Sequence, residues 1–235
     1  MAFYNNIVFL TGAGISAESG LDTFRDKGGL WAKYDLMELA TPEAFLRKPD
    51  LVHEFYNARR KQVKKVLPNE AHSALARMEM EYAGHITIIT QNVDDLHERA
   101  GAINLMHMHG ELNKIRCENC GVVCPWTDDL GRKTKCPSCG RPGELRPHIV
   151  WFGEVPFYLE AIGIMLRECD LFVSIGTSGS VYPAAGFVQT ARAFGAKTVE
   201  LNMEPTAGKD VFDEGHYGRA TEIVPEFVNT LTNLH

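Results

Sequence analysis

The sequence predicts an α/β protein: a parallel sheet covered by helices on both faces, joined to a smaller second domain. Three observations lead there. Short apolar, β-branched runs alternate with helical stretches. The first run ends at once in a glycine turn, Gly12-Ala13-Gly14. Two Cys-x2-Cys pairs interrupt the alternation in mid-chain.

Residues 7–11 (IVFLT), 86–90 (ITIIT), 171–175 (LFVSI) and 198–202 (TVELN) read as strands, with 221–224 (TEIV) as a short fifth. Residues 69–83, 159–168, 183–195 and 225–233 read as helices. Asn69 follows Pro68 as an N-cap, and Pro183 and Pro225 suit first-turn positions. Runs this continuously apolar belong to strands buried on both faces. Residues 1–20, 67–109 and 147–235 are assigned to this first domain. Residues 21–66, helical and loop-rich, and 110–146, with the cysteines, break the rhythm and are assigned to the second.

The net charge of −6 argues against a protein that holds nucleic acid by neutralising phosphates, and leaves a basic protein or peptide as a partner. No apolar run reaches the ~20 residues that span a bilayer, so no membrane role is expected. The start, MAFYNNIVFLTGAG, has no basic n-region and no small-residue cleavage site. A cytoplasmic monomer is expected.

Cys117-x2-Cys120 and Cys136-x2-Cys139 fit the zinc template of two pairs separated by about 15–20 residues. A redox pair would need only one copy. Gly121 and Gly140 follow the second cysteine of each pair, where a tight turn calls for positive φ. Four thiolates close the tetrahedron against water, so one structural zinc ion is expected and the smaller domain reads as helical plus zinc ribbon. Cys124 lacks the knuckle glycine, and Cys169, in ECDLFVSIG, reads as a buried small hydrophobe.

Gly12-x-Gly14-x-x-Ala17 after the first strand fits the dinucleotide fingerprint; a tight strand–helix turn that uses glycine is the competing reading. Its glycines let backbone approach a pyrophosphate at a helix N-terminus. The acidic strand end that a simple dehydrogenase shows about 20 residues on is missing, because DTFRDKGGLW is not a strand. Ribose contacts are expected at Asn202 and Glu204 instead. Gly176-Thr177-Ser178 ends the third run, where ligands of open α/β sheets gather; a plain turn is the competing reading. Gln91, Asn92 and Asp94 end the second run, although Asn92 or Asp94 taken singly reads first as a helix cap. His107 and His109, in LMHMHGEL, share a side if that segment is extended. An imidazole with a pKa near ~6.5 suits general base work.

Together these runs resemble the sirtuins, the NAD-dependent protein lysine deacylases. The matching stretches are TGAGISAES (11–19), Thr23-Phe24-Arg25, TQNVD (90–94), His109-Gly110, the four cysteines, RPHIVWFGE (146–154), GTS (176–178) and Leu201-Asn202. They come in the family's order and cover nearly the whole chain. The resemblance implies a Rossmann-like large domain, a helical and zinc small domain and a cleft between them, with NAD as co-substrate. It implies that Gly12, Ala13, Gly14, Ser16, Ala17 and Glu18 surround the NAD phosphates. Phe24, Arg25 and Trp31 would belong to the cofactor-binding segment, and Gln91, Asn92 and Asp94 would hold the nicotinamide riboside. Gly176, Thr177 and Ser178 would contact phosphates or adenosine ribose, with Asn202, Glu204 and Ala220 around the adenosine. His109 would be the general base, aided by Asn92 and Asp94. Val150, Phe152, Gly153 and Glu154 would line the acyl-lysine tunnel. The implied products are free lysine, nicotinamide and 2'-O-acyl-ADP-ribose.

Tyr56 and Arg59, in HEFYNARRKQVKK, share a helical face. From spacing alone they belong to a solvated basic face with Arg60, Lys61, Lys64 and Lys65. The resemblance gives Tyr-x-x-Arg another meaning, the mark of the sirtuin class that removes succinyl and malonyl groups. Two other functions compete: an NAD-dependent protein ADP-ribosyltransferase on the same site, and a non-enzymatic zinc-ribbon binding module.

Overall fold

The computed structural model describes residues 4–22 and 38–232. The expected cofactor-segment residues Phe24, Arg25 and Trp31 lie outside them. In chain order the elements begin with β1 (Asn6–Thr11), α1 (Ala13–Ala17), α2 (Pro42–Arg47), α3 (Pro49–Val63), α4 (Glu70–Glu81), β2 (His85–Thr90), α5 (Leu96–Ala100) and β3 (Leu105–His107). Then come β4 (Gly110–Cys117), β5 (Val123–Pro125), β6 (Leu145–Ile149), α6 (Leu159–Glu168), β7 (Leu171–Ile175), α7 (Phe187–Ala193), β8 (Lys197–Asn202), β9 (Glu214–Tyr217) and α8 (Ala220–Thr232).

Six strands form one sheet in the order β3-β2-β1-β7-β8-β9, every neighbouring pair parallel. Counted within the sheet this is 3-2-1-4-5-6, the doubly wound order whose switch point lies between the first and fourth strands. The alternation within β1 explains how it is covered. Ile7 and Phe9 pack with Leu75 and Met78 of α4 and Val228 of α8. Val8 and Leu10 pack on the other face with Ile162 and Leu166 of α6 and Val188 of α7. A second, antiparallel sheet, β5-β4-β6, carries the cysteine module. A third apolar cluster joins α2 and α3 to Leu112, Ile149 and Trp151. Among the described residues no helix is long and apolar enough to cross a membrane.

The helix caps follow the sequence. Asn69 Oδ1 accepts from the Ala71 amide, and Asn69 Nδ2 donates to Ile15 O (2.8 Å), which ties α4 to α1. Three expectations need correction. Residues 221–224 are not a strand; they belong to α8, because Val224, Phe227, Val228 and Leu231 recur at helical spacing and bury one face. Pro225 therefore lies inside that helix rather than in its first turn. The outer strand is β9, whose EGHY has too few apolar residues to announce itself. Arg60 is not on a solvated face. It is 1% exposed, and its guanidinium donates to Leu112 O, Asn57 Oδ1 and Asp128 O, joining α3 to β4 and the cysteine module. Cys169 is buried in the sheet's second apolar cluster, as expected.

Candidate active site

The ends of β1, β2 and β7 meet at the switch point. The Gly12 amide donates to Ile175 O (2.9 Å) and the Gly14 amide to Gly176 O (2.8 Å). A Cβ on Gly14 would stand 2.6 Å from Gly176 Cα, and Gly176 itself has φ +60. Close approach of two backbone turns therefore demands these glycines, before any phosphate is considered. Thr177 and Asn202 adjoin them, since Asn202 Nδ2 donates to Thr177 O (2.8 Å). Ser178 Oγ shares a hydrogen bond with Ser180 Oγ (2.7 Å). Ala13 and Ala17 lie on α1, Glu204 is exposed just beyond β8, and half-buried Ala220 begins α8. Glu18 points to α8, where its carboxylate accepts from the Thr221 amide (2.9 Å) and hydroxyl (3.0 Å).

TQNVD closes this floor. Asn92 Nδ2 donates to Gly12 O and to Ser16 Oγ, both at 3.1 Å. Ser16 Oγ donates to Asp94 Oδ2 (3.2 Å), and Asp94 Oδ1 accepts from the Leu96 amide. Asp94 thus makes the local bond that sequence reasoning offered as the alternative, while its other oxygen faces Ser16. Burial raises the Asp94 pKa against the pull of the Leu96 amide. Gln91 Nε2 is a buried donor with no partner among the described residues. A buried donor of this kind fits a carboxamide or ribose acceptor from a ligand.

His109 Nδ1 lies 3.1 Å from Gln91 O. A carbonyl can only accept, so Nδ1 carries the proton and Nε2 is left basic. Burial lowers the His109 pKa, in part offset by the bond to Gln91. Its partner Gly110 has φ +84, and a Cβ there would meet His148 O at 2.1 Å. His107 is handled differently, because β3 ends at His107 and the chain turns before His109. Its Nδ1 meets Asn92 O (3.0 Å) and its Nε2 meets Glu98 Oε1 (2.8 Å). Burial pulls its pKa down, but Glu98 outweighs that and holds it above the ordinary value.

Sequence reasoning missed the layer underneath. Thr11 Oγ1 donates to Thr90 Oγ1 (2.9 Å), its register partner across β1 and β2, and Thr90 Oγ1 accepts from the Asn92 amide. His97 Nε2 lies 3.0 Å from Thr11 Oγ1, and His72 Nε2 lies 3.3 Å from Ser16 Oγ. Burial lowers the His97 pKa far below its usual value and takes His72 to about 4. Both are neutral dipoles bracing Ser16 and Asn92 from below. Threonine at the same register position of two adjacent strand ends was the available signal.

The cysteine cluster meets the test for zinc. Cys117 Sγ and Cys139 Sγ are 3.8 Å apart, as are Cys120 Sγ and Cys136 Sγ. Four sulfurs at ~2.3 Å from a tetrahedral ion would stand about 3.8 Å from each other. Gly121 and Gly140 adopt positive φ, as their places in the knuckles required. Cys124 lies on β5, apart from the four-sulfur group.

Tyr56 and Arg59 lie on α3 in the third apolar cluster and beside it. Tyr56 is 2% exposed, and burial raises its pKa to about 12. Burial lowers the Arg59 pKa, opposed by Tyr56, Asp94 and Asp22. Arg59 therefore shares an electrostatic environment with Asp94. The Val150 amide donates to His109 O (2.9 Å), which brings the segment expected to line a substrate tunnel against His109. Phe152 and Gly153 are exposed beyond it. The Glu154 carboxylate is engaged within the fold, accepting from Arg146, Arg116 and the Trp151 amide.

Residues 12–183 match the Sir2 family. The chain is 57% identical over 224 residues to an NAD-dependent protein deacylase of Pasteurella multocida, covering 94% of this chain and 96% of that one. It is 56% identical over 228 residues to an NAD-dependent protein deacylase of Caulobacter vibrioides, covering 96% of each. Among solved structures, a Sir2 homologue in complex with NAD superposes with a TM-score of 0.90 at 38% identity, over 98% of this chain and 90% of the other. Sir2Af2 bound to a myristoylated histone peptide superposes with a TM-score of 0.76 at 31% identity, over 98% and 92%.

Proposed function

The chain belongs to the Sir2 family, and from that premise we propose that it is an NAD-dependent protein-lysine deacylase. One observation supports this most strongly. A half-buried His109 whose Nε2 is left basic sits beside Gln91, whose carboxamide donor is buried without a partner among the described residues. The bound NAD would supply a ribose carbon that the acyl oxygen can attack once nicotinamide leaves.

This chain's residues would do the rest. The turns at Gly12–Gly14 and Gly176 would cradle the phosphates, with Thr177, Ser178, Asn202, Glu204 and Ala220 along the adenosine. Ser16, Gln91, Asn92 and Asp94 would hold the nicotinamide riboside, with Phe24, Arg25 and Trp31 as further cofactor contacts. His109 Nε2 would take a proton relayed from a ribose hydroxyl, while Gln91 O fixes the ring. Val150, Phe152, Gly153 and Glu154 would receive the substrate backbone by strand addition. In this reading residues 21–66 and 110–146 form the second wall of the cleft, and zinc serves only that wall's shape.

We further infer that Tyr56 and Arg59 select acyl groups ending in a carboxylate, succinyl and malonyl, beside acetyl. The guanidinium offers a planar fork and the phenol a donor in a dry environment. The deciding assay is NAD-dependent turnover of one peptide carrying acetyl-, succinyl- or malonyl-lysine, with products identified by mass. 2'-O-Acyl-ADP-ribose supports deacylation; ADP-ribosylated protein without acyl loss would replace it with transferase chemistry.

A further inference from the structure

Trp151 is buried in the third apolar cluster. Its indole Nε1 donates a 2.9 Å hydrogen bond to the Tyr56 hydroxyl. A phenol has one proton to give and two lone pairs to receive with. Once the oxygen accepts the indole N–H, the hydroxyl proton has to point away from Trp151. Among the described residues no acceptor meets that proton, although Tyr56 is only 2% exposed. A buried hydroxyl that receives but cannot give is costly, and a ligand acceptor would relieve it.

The indole cannot turn away from this task. The Arg146 guanidinium lies 3.3 Å from the ring centroid. Arg146 is itself pinned, with Nη1 and Nη2 donating to the two oxygens of Glu154 and Nη2 also to Ile149 O (3.0 Å). Glu154 closes the loop by accepting from the Trp151 amide (2.8 Å). Phe45 packs on the indole with ring centroids 5.3 Å apart. Arg146, Glu154 and Phe45 thus fix the one donor that sets the direction of the Tyr56 hydroxyl.

We propose that Trp151 is a specificity-determining positioning residue, which turns the Tyr56 hydroxyl into an oriented donor for a carboxylate at the end of the acyl chain. The proposal rests on the reading of Tyr56 and Arg59 given above and adds the group that makes Tyr56 directional. The phenol stays protonated across the working pH range because burial raises its pKa, so it remains a donor. An acetyl group ends in a methyl and offers no acceptor there. Loss of the indole N–H should therefore weigh on succinyl-lysine far more than on acetyl-lysine.

The test is the ratio of kcat/KM for succinyl-lysine over acetyl-lysine on one peptide, in Trp151→Phe, Tyr56→Phe, the double variant and Arg59→Met. Trp151→Phe should lower the ratio about tenfold, chiefly through KM for the succinyl peptide, whatever loss both substrates share. Tyr56→Phe should lower it alone but add little in the Trp151→Phe background, since both act on one hydrogen bond. An unchanged ratio in Trp151→Phe with a lowered ratio in Arg59→Met overturns the role of Trp151 and leaves the carboxylate reading standing. An unchanged ratio in Arg59→Met overturns the carboxylate reading itself, and this inference with it. Should Trp151→Phe fail to fold, Arg146→Lys keeps the charge but loses the planar stack, and should lower the same ratio severalfold. A ratio untouched there overturns the proposal as well.

Discussion

In the cysteine module each sulfur finds its neighbours nearby in the chain, 16 residues apart for Cys120 and Cys136 and 22 for Cys117 and Cys139. At the strand ends the partners are far apart: 79 residues separate Thr11 from Thr90, and 78 separate Ser16 from Asp94. The first site is assembled by two local turns and a metal ion. The second is assembled by the register of a parallel sheet, and each side chain has its direction before any ligand arrives. Metal should therefore decide whether the module exists, whereas substitutions at the strand ends should change chemistry on an intact frame.

The largest effect should come from the metal. Structural zinc contributes about 10–16 kcal/mol, against about 5–15 kcal/mol for the net stability of a whole domain. A strong chelator should release one zinc per chain by elemental analysis and abolish turnover. Hydrogen exchange should then show lost protection in β4, β5 and β6 while β1, β2 and β7 keep theirs. Equal loss in both sheets would break the comparison.

His109→Ala is next. It should lower turnover by roughly 10²–10⁴-fold, with NAD affinity in calorimetry nearly unchanged. Near-normal turnover would remove His109 from the role of base. Arg59→Met should follow, reducing kcat/KM on succinyl-lysine about 10–100-fold while acetyl-lysine suffers much less.

The remaining effects lie in pH. A base must be neutral to act, so kcat/KM should fall as pH drops through the His109 pKa. Burial places that limb below the usual histidine value, and turnover should persist at mildly acidic pH. His72 bears on stability. Its folded pKa of about 4 lies below the unfolded value near ~6.5, so the unfolded chain binds the extra proton. Its contribution is present above pH ~6.5 and is lost as pH falls from there towards 4, about 3 kcal/mol in all. His72→Gln should flatten the fall of urea-unfolding free energy across that window; an unchanged slope would acquit His72.

The same contrast governs what could be read from the sequence. The zinc module was legible whole, because spacing within one segment specifies four thiolates and two glycine turns. Four strands of the main sheet were legible from their apolar runs. β3 and β9 were not: the first is three residues long, and EGHY lies at a sheet edge with little to bury. The residues of the candidate site were legible as motifs, but their structural partners were not. Nothing local in the sequence says that His97 meets Thr11, that Arg60 is buried against Leu112, or that Trp151 reaches Tyr56 across 95 positions. The glycines show a subtler gap. Their pattern suggests room for phosphate, yet Gly14 and Gly176 are already required by each other.

The bond from Glu18 to Thr221 spans 203 positions and joins the first helix to the last. β1 likewise waits for β7, because its central place in the sheet needs a neighbour that begins at Leu171. A ribosome delivers the chain from the N-terminus at about 5–20 residues per second, so the glycine turn emerges first and is completed last. For much of synthesis this apolar strand has only one of its two flanking strands. The growing chain therefore keeps apolar surface uncovered until α8 is released, and a fragment ending before Thr221 would lack the clasp that holds α1 against α8.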